Sequence, residues 1–288
     1  MSNRISAIQR QFNRRANSYD AHAHVQRMMA DQLTQSLLGW KSKGITDAPN
    51  ILEIGCGTGA LTRTLATEWP SASITALDIA PAMIRLAEQH VQSAKANHSD
   101  AMNHTSDHIH FLLADVEVWA ADAPVASFDL IVSNACFQWL SNPTRTLSHL
   151  RRMLRSEGML IFTTFGPDTF YELHQAFNSV YQVSGMEPQR HGLSFQSADQ
   201  WKSLLEEAGF ASSHYERTIH TEKYASARDF LLSVKAMGAS TSEAAAKRGL
   251  SSRRLFANMY KEYENMFSIQ DGVAATYDLL LIHSCASY

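Results

Sequence analysis

One stretch, ILEIGCGTGALT over residues 51–62, constrains the fold of this chain more than any other. A short apolar run leads into three glycines on alternate positions, Gly55, Gly57 and Gly59, and a helical pattern follows them. Glycine tolerates positive φ and lets a ligand approach the backbone closely, and a helix N-terminus offers unpaired N–H groups. The stretch therefore predicts a strand, a tight turn and a helix that together bind a nucleotide-like ligand.

Strands and helices alternate from this turn to about residue 165. The apolar runs predict strands at 50–55, 73–79, 108–116, 128–134 and 159–165, and the periodicity predicts helices at 59–69, 81–94 and 143–158. Pro81 suits the first position of a helix, and Gly158 suits the end of one. Strands that alternate with helices form right-handed βαβ units. We therefore expect an α/β fold with a Rossmann-like, doubly wound, mostly parallel sheet.

The regions on either side of this alternation are richer in helical patterns. A helix is predicted over 5–39, and further helices at 167–182, 197–210, 227–238 and 251–267, with strands at 213–224 and 275–286. We divide the chain into an N-terminal helical cap (1–44), a ligand-binding core (45–165), remaining core elements with a helical lid insertion (166–272) and a closing core strand (273–288).

Composition excludes several classes of protein. The 288 residues are 45% apolar with a net charge of −3, which favours a sizeable core and no nucleic-acid partner. No apolar run approaches the roughly 20 residues that cross a bilayer, so no membrane association is expected. Three cysteines in apolar contexts predict a reducing, cytoplasmic location without disulfides. The polar stretch 93–108 contains several histidines and aspartates, but its spacing matches no zinc pattern and predicts a surface loop.

Two ligands compete for the glycine turn. Gly55, Gly57 and Ala60 fit the dinucleotide pattern G-x-G-x-x-A, whereas Gly59 and Glu53 fit E-x-G-x-G-x-G, the pattern used for S-adenosylmethionine. The carboxylate of Glu53 can orient turn amides or bind the ligand's ammonium group. The glycine motif alone does not distinguish a dinucleotide from S-adenosylmethionine.

Acidic residues at the ends of the next strands narrow the choice. Asp78 ends the second strand, where an acid accepts hydrogen bonds from ribose hydroxyls, as either ligand requires. Asp115 ends the third strand and can accept from an adenine amino group, with Val116 beside the ring. Asn134 ends the fourth strand, where the switch-point rule places the reactive end of the ligand. In this order the motifs favour S-adenosylmethionine.

With these residues identified, positions 45–165 and the last strand resemble the class I S-adenosylmethionine-dependent methyltransferases. A narrower resemblance covers most of the chain, because several segments are similar to the malonyl-[acyl-carrier protein] O-methyltransferases of biotin synthesis: FNRRANSYDAHAHVQRMMADQL, ILEIGCGTGALT, LDIAPAMIRLA, SNACFQWL, FTTFGPDTFYELHQAF and FLLSVKAMGAS. The resemblance implies seven strands with the last one antiparallel, S-adenosylmethionine as cofactor, and methylation of the free malonyl carboxylate on acyl-carrier protein. That ester would start pimeloyl assembly.

The chemistry implied by this resemblance needs few titratable groups. A carboxylate is ionised at neutral pH and needs no general base. The enzyme then has to align the carboxylate oxygen with the methyl group and the sulfur, and to remove water from the carboxylate. The catalytic candidates are Tyr19, His22 and Gln138. The cofactor candidates are Tyr19, Glu53, Gly55, Cys56, Gly57, Gly59, Asp78, Ile79, Met83, Asp115, Val116 and Asn134. The substrate candidates are Phe137, Trp139, Phe165, Thr169 and Phe170.

Several of these candidates have a simpler interpretation as well. By the resemblance Tyr19 closes over the cofactor, but a tyrosine packed on the sheet fits the pattern equally. His22 is equally an exposed helix residue, and at least one of Phe137 and Trp139 is expected to face the core. Cys136 is expected to be a small packed residue, since methyl transfer to oxygen needs no cysteine nucleophile.

Acyl-carrier protein is acidic, so its docking face should be basic. Two segments carry clustered cations: helix 143–156 and residues 223–261. The partner-binding candidates in them are Arg145, Arg151, Arg152, Arg155, Arg253 and Arg254. Charge reversal at Arg152 and Arg254 is expected to raise the KM for carrier-bound substrate, and less so at high salt.

Other functions use the same fold. An aconitate-like polycarboxylate acceptor would require several buried basic groups, and a quinone precursor would require an apolar tunnel with an acid–base residue. A non-catalytic cofactor-binding regulator would bind S-adenosylmethionine without transferring its methyl group. A dinucleotide oxidoreductase fits the motifs least well.

Overall fold

The computed structural model describes residues 3–41, 47–97, 108–189, 191–236 and 250–286. Its strands are β1 (Asn50–Ile54), β2 (Ser73–Asp78), β3 (Ile109–Leu113), β4 (Phe128–Asn134), β5 (Leu154–Phe165), β6 (Ser212–Tyr224), β7 (Ser268–Ile269) and β8 (Gly272–Cys285). Its helices are α1 (Asn3–His22), α2 (His24–Lys41), α3 (Ala60–Glu68), α4 (Pro81–Asn97), α5 (Val116–Asp122), α6 (Pro143–Met153), α7 (Tyr171–Ser184), α8 (Ala198–Glu207), α9 (Ala227–Ala236) and α10 (Leu250–Phe267).

The sheet has the predicted α/β topology. Its strand order is β3-β2-β1-β4-β5-β8-β6, and the short β7 pairs with β8 outside this path. β1 to β5 pair in parallel, while β8 runs antiparallel to both β5 and β6. The predicted antiparallel last strand is confirmed. The order reverses between β1 and β4, so the chain leaves the carboxyl ends of these two strands in opposite directions and a crevice forms there.

Local sequence signals explain where several helices begin. Asn142 accepts a hydrogen bond from the Arg145 N–H at 3.1 Å and Pro143 occupies the first turn of α6. Ser197 and Gln200 form a reciprocal capping box at the start of α8. The Asp115 side chain caps α5 by accepting from the Glu117 N–H at 3.0 Å.

Helical layers cover both faces of the sheet. Buried side chains of α5, α6 and α8 pack on one face, and those of α2, α3 and α4 pack on the other. A third cluster joins α7, α9 and α10 to the start of α2 and to residues of β5 and β8. This cluster includes Phe165, the last residue of β5, so it borders the carboxyl end of that strand.

The structure corrects some predicted boundaries. The predicted N-terminal helix is two helices, broken at the buried Ala23. α6 ends at Met153 instead of 158, because Leu154 already pairs with Phe128 in the sheet. α5 was not predicted, since its seven residues are too few to show a periodicity. The polar loop expected at 93–108 falls largely outside the described residues, as does the end of the helix predicted at 227–238.

Candidate functional site

A first cavity lies at the carboxyl ends of β1 to β4, under helix α1. It encloses an empty volume of about 800 Å³, part of which is open to solvent. The strand ends contribute Gly55, Gly57, Asp78 and Asp115, and α1 contributes Phe12 and Tyr19 among others. Of the predicted cofactor residues, Ile79, Met83, Val116 and Asn134 also line it. A smaller neighbouring cavity brings in Glu53 and Cys56 beside the same turn.

The three glycines of the turn have different roles. All three have positive φ, at 74°, 54° and 81° for Gly55, Gly57 and Gly59. A Cβ on Gly55 would lie 2.5 Å from the Cys136 sulfur, so any side chain there would clash. A Cβ on Gly59 would lie 3.0 Å from the Ala87 backbone. Gly59 therefore lets α3 pack on α4. Although Gly59 was a predicted cofactor residue, it does not line either cavity beside the turn.

Two buried acids hold the turn in shape. The Asp78 carboxylate accepts from the Gly57 N–H at 3.0 Å and from the Ala80 N–H at 2.8 Å. The Glu53 carboxylate accepts from the Thr62 hydroxyl at 2.6 Å. Burial raises the pKa of Glu53 to about 8 and the pKa of Asp78 to about 6. Since burial disfavours their charged forms, a bound cation near these acids would stabilise their ionisation.

Asp115 leaves one oxygen free for a ligand. Its Oδ1 caps α5, but its buried Oδ2 has no hydrogen-bond partner among the described residues. An unpaired buried acceptor costs free energy unless a ligand donates to it. The sequence predicts the amino group of adenine as that donor, and this assignment stays a prediction.

Helix α1 closes the cavity from above and is tied to the core by three side chains. Gln9 donates to the Ile79 carbonyl at 2.8 Å, Asn13 accepts from the Ala82 N–H at 2.7 Å, and Asp20 accepts from the Thr58 hydroxyl at 2.7 Å. Tyr19, on the same helix, lines both the first and the smaller cavity. Burial raises the pKa of its phenol, which therefore stays protonated and can donate a hydrogen bond.

A second cavity, mostly apolar, opens beside the first. Its empty volume is about 860 Å³, again partly open to solvent. Trp139 lines both large cavities, and Gln26 lines the second and the smaller one. Predicted residues Gln138, Phe165 and Phe170 belong to its wall. None of the described residues in this wall is acidic.

The polar groups where the cavities meet are held in fixed orientations. The Asn134 amide accepts from the Thr163 hydroxyl at 2.6 Å and donates to the Gln26 carbonyl at 2.9 Å. The Gln138 amide donates to the Ala135 carbonyl at 2.7 Å and accepts from the Thr164 hydroxyl at 3.2 Å. Ala135 itself has a φ of 48°, an uncommon conformation for a residue with a Cβ.

Three predicted site residues lie elsewhere. Phe137 is buried in the core, stacked on Phe162 with ring centroids 4.5 Å apart, because the 3-10 turn 137–139 directs Trp139 to the cavities instead. Thr169 is fully buried and donates to the Asp278 carbonyl at 3.2 Å. His22 is exposed at the end of α1 and lines a surface groove that shares Lys235 with the second cavity. None of these three side chains lines either large cavity, and their predicted roles stay predictions.

Sequence reasoning missed several residues of the second cavity. Gln26, His191, Lys235 and Tyr277 lie in its wall but come from four distant segments. Gln26 falls within the predicted N-terminal helix, so a polar residue on its buried face was an available signal. The others have no local motif, since only tertiary packing brings them together.

The predicted docking arginines differ in their surroundings. Arg152 donates to the carbonyls of Ala120, Ala121 and Ala123, and Arg155 pairs with Asp129 at 2.7 Å. Arg151 donates to the Gly209 carbonyl at 3.1 Å. By contrast, Arg145, Arg253 and Arg254 are exposed. The α6 and α10 sets belong to different layers, and of the two helices only α10 also lines the second cavity, through Phe256.

One group on the surface has the composition of a metal site. Ligand atoms of His24, His220 and Glu222 lie within 4.8 Å of one another. Both imidazoles are hydrogen-bonded to the same Glu222 oxygen, at 2.7 and 2.9 Å. The absence of a metal, predicted from the sequence, stays a prediction.

Two further properties bear on the class of protein. All three cysteines are free. No helix in the described ranges is long and apolar enough to cross a membrane.

The chain is similar to known methyltransferases in sequence. Residues 19–214 match the family model described as a methyltransferase domain. The chain is 57% identical to the malonyl-[acyl-carrier protein] O-methyltransferase of Paenibacillus sp. (strain JDR-2), over 99% of this chain and 100% of that protein. It is 38% identical to the enzyme of the same name from Brevibacillus brevis, over 98% and 96% of the two chains.

Solved structures match the fold. The YcgJ protein from Bacillus subtilis is similar with a TM-score of 0.59 at 13% identity, over 90% of this chain and 99% of that one. A phosphoethanolamine N-methyltransferase from Haemonchus contortus, solved with S-adenosylhomocysteine, is similar with a TM-score of 0.51 at 16% identity, over 88% and 53% of the two chains.

Proposed function

Because this chain belongs to the malonyl-[acyl-carrier protein] O-methyltransferase family, we propose that it methylates the free carboxylate of malonyl-acyl-carrier protein. The cofactor is S-adenosylmethionine, and the product is the methyl ester that starts pimeloyl assembly in biotin synthesis. The observation that carries the proposal is the apolar second cavity, without acidic residues in its described wall, that meets the cofactor cavity at Trp139. Such a wall suits an acyl group with an anionic end.

The polar groups of the first cavity match the groups of the cofactor that need hydrogen-bond partners. Asp115 offers an unpaired buried acceptor for the adenine amino group, and Asp78 offers a carboxylate for ribose hydroxyls. Glu53 lies where a carboxylate can meet an ammonium group. When bound, S-adenosylmethionine supplies a methyl group activated by a positively charged sulfur.

The remaining chemical work falls to residues at the junction of the cavities. The acceptor carboxylate is already a nucleophile at neutral pH, so no residue needs to remove a proton. Tyr19 and Gln26 can orient the carboxylate by hydrogen bonds, while Trp139 limits its position. Orientation of two reactants in contact is itself a large catalytic effect. The apolar wall contributed by Phe165 and Phe170 excludes water, which would otherwise solvate and weaken the nucleophile.

A polycarboxylate acceptor has less support. It would need several basic groups in the second cavity, whereas the described wall contains one lysine, Lys235, and one histidine, His191. Burial lowers the pKa of His191 to about 4, so this imidazole is neutral at physiological pH.

Docking of acyl-carrier protein completes the proposal. The exposed Arg253 and Arg254 lie on α10, the same helix whose Phe256 lines the acceptor cavity. A basic surface at the entrance would attract the acidic carrier and present its acyl group to the cavity. Arg152 is less suited to this role, because its guanidinium is engaged by three backbone carbonyls. No nucleic acid or membrane enters the proposed reaction, and a cytoplasmic location remains a prediction.

A transfer assay tests the function directly. Methyl-labelled S-adenosylmethionine is incubated with malonyl-acyl-carrier protein, malonyl-coenzyme A or free malonate, and base-labile label is counted. We expect label on the carrier-bound malonyl group well above the free acid. Cofactor binding without any labelled ester would reject the proposal and favour a regulator.

A matched pair of variants links that assay to the first cavity. Asp115→Asn keeps an oxygen for the α5 cap but replaces the free acceptor with an NH₂ group. We expect the Kd for S-adenosylhomocysteine to rise roughly 10- to 100-fold, as for loss of a hydrogen bond to a charged group. Calorimetry measures this, with the exposed Asp122→Asn on the same helix as control. An unchanged Kd would contradict the adenine assignment.

A further inference from the structure

The second cavity contains one buried polar group that the proposed reaction does not explain. His191 is 95% buried and stacks on Phe177, with ring centroids 3.6 Å apart and planes inclined by 9°. Its Nε2 lies 2.6 Å from the Tyr181 hydroxyl. Its Nδ1 is buried and has no hydrogen-bond partner among the described residues. A buried ring nitrogen of this kind requires a hydrogen-bond partner from outside the described residues, and a bound substrate atom is one such partner.

The hydroxyl of Tyr181 decides which proton the imidazole carries. A phenol donates readily to a neutral imidazole nitrogen, and Tyr181 is itself only 2% exposed. When Tyr181 donates to Nε2, the ring proton must be on Nδ1. Burial keeps the ring neutral by lowering its pKa. His191 is therefore a neutral N–H donor among the mostly apolar residues that line the second cavity.

The position of His191 separates it from the reacting carboxylate. Gln26 and Trp139 line the cofactor cavities as well as the second cavity, and so mark the side where methyl transfer occurs. His191, Phe177 and Phe256 line only the second cavity. A neutral donor away from the charged end suits a neutral acceptor, and the acyl group of the proposed substrate has one, the thioester carbonyl oxygen.

We propose that His191, oriented by Tyr181, donates a hydrogen bond from Nδ1 to the thioester carbonyl oxygen of the acyl substrate, and so makes the enzyme select thioesters over other carboxylates. This inference rests on the proposed function. It assigns His191 a role in specificity and Tyr181 a role in positioning. A site built to pair with a polar group discriminates strongly against an analogue that lacks it, because the donor is then left buried and unpaired.

A substrate lacking only the carbonyl tests this assignment. Malonyl-acyl-carrier protein is compared with a carrier protein bearing a 2-carboxyethyl thioether, in which a CH₂ group replaces the carbonyl and the carboxylate is kept. We expect the wild-type enzyme to prefer the malonyl thioester in kcat/KM by at least about tenfold. His191→Phe should lose most of that preference by slowing the thioester reaction while leaving the thioether reaction nearly unchanged.

Two other variants separate recognition from packing. Phe256→Leu trims the same wall without removing a polar group, and should lower kcat/KM for both acceptors by the same factor. Tyr181→Phe leaves the imidazole in place but removes the hydrogen bond that keeps its proton on Nδ1. This variant should lose part of the preference for the thioester over the thioether. Calorimetry with S-adenosylhomocysteine checks that each variant keeps an intact cofactor site. If His191→Phe does not fold, the ratio of kcat/KM for the two acceptors measured with Tyr181→Phe decides whether the inference holds.

The possible outcomes separate failure of the His191 assignment from failure of the proposed methyltransferase function. If the wild-type enzyme methylates malonyl-acyl-carrier protein but His191→Phe or Tyr181→Phe keeps the wild-type preference ratio, the inference is wrong and the function stands. If the wild-type enzyme methylates neither acceptor, the proposed function itself fails.

Discussion

Glu53 is a buried carboxyl group whose raised pKa reflects the lack of a compensating positive charge in the described part of the ligand-free protein. Its only hydrogen-bond donor given by the structure is the Thr62 hydroxyl, and the nearby Asp78 adds like charge to the effect of burial. Both acids therefore bind protons more tightly in the folded chain than in the unfolded one. Their ionisation destabilises the free protein at neutral pH and stabilises a complex with a cation.

We predict that Glu53→Gln stabilises the ligand-free protein, and more so as the pH rises. Glu53 ionises above a pKa of about 4.5 when unfolded but about 8 when folded, so the folded state retains a proton that the unfolded state has lost. Stability is therefore lost progressively from pH 4.5 to 8 in the wild type, but not through this group in the variant. The difference in unfolding free energy between the variant and the wild type should reach roughly 4 kcal/mol at pH 8.

Urea unfolding at pH 5 and pH 8 measures this gap without ligand. The exposed Glu88→Gln serves as control, because it removes a carboxyl group without relieving burial. A difference between wild type and Glu53→Gln that does not change with pH would show that Glu53 ionises normally in the folded protein.

At the scale of elements, α1 is a cover whose attachment depends on a few side chains. It presents Phe12 and Tyr19 to the cofactor cavity and meets α4 and α9, while α2 after the break at Ala23 packs against the sheet. Gln9 and Asn13 connect α1 to the loop and helix that follow β2. Loss of these bonds should affect opening of the cover more than folding of the sheet.

We predict that the double variant Gln9→Ala, Asn13→Ala releases S-adenosylmethionine roughly 30-fold faster. Each neutral hydrogen bond contributes about 1 kcal/mol, and both stabilise the closed position. Stopped-flow displacement gives the off-rate, and Arg14→Ala, an exposed substitution on the same helix, is the control. An off-rate equal to that of the control would mean that α1 does not limit release.

The sequence predicted those elements that carry their own periodicity. β1, β4 and the glycine turn were recognisable because an apolar run ends in residues of special backbone geometry. The end of α6 was not, since Leu154 leaves the helix only to pair with Phe128 in β4. Asp78 and Asp115 could be chosen as cofactor candidates because one ends β2 and the other follows β3 by two residues. The wall containing His191, Lys235 and Tyr277 depends on long-range packing that no local pattern encodes.

At the scale of the whole molecule, charge is unevenly distributed. The chain has a net charge of −3, but α10 exposes Arg253 and Arg254 on the helix that also lines the acceptor cavity. An acidic protein partner would be repelled on average and attracted locally, so its approach would be directed.

We predict that Arg254→Glu raises the KM for malonyl-acyl-carrier protein roughly threefold or more at low salt, with little change in kcat. The effect should shrink as ionic strength rises, because exposed charges are screened beyond about 10 Å at 0.1 M salt. Steady-state kinetics over a salt series measures both. Lys202→Glu, an exposed reversal on α8, is the control, and equal effects of the two reversals would exclude α10 as the docking surface.

The two large cavities are built from separate stretches of the chain. Every residue given for the first cavity lies at or before Leu140, whereas all but three residues of the second, Gln26, Gln138 and Trp139, come from Phe165 onward. Mutations in the second half of the gene can therefore alter the acceptor while the inherited methyl-donor site stays intact. A lineage with this architecture can diversify its substrates by recombination or drift in the codons from Phe165 onward, without passing through an ancestor that has lost its cofactor.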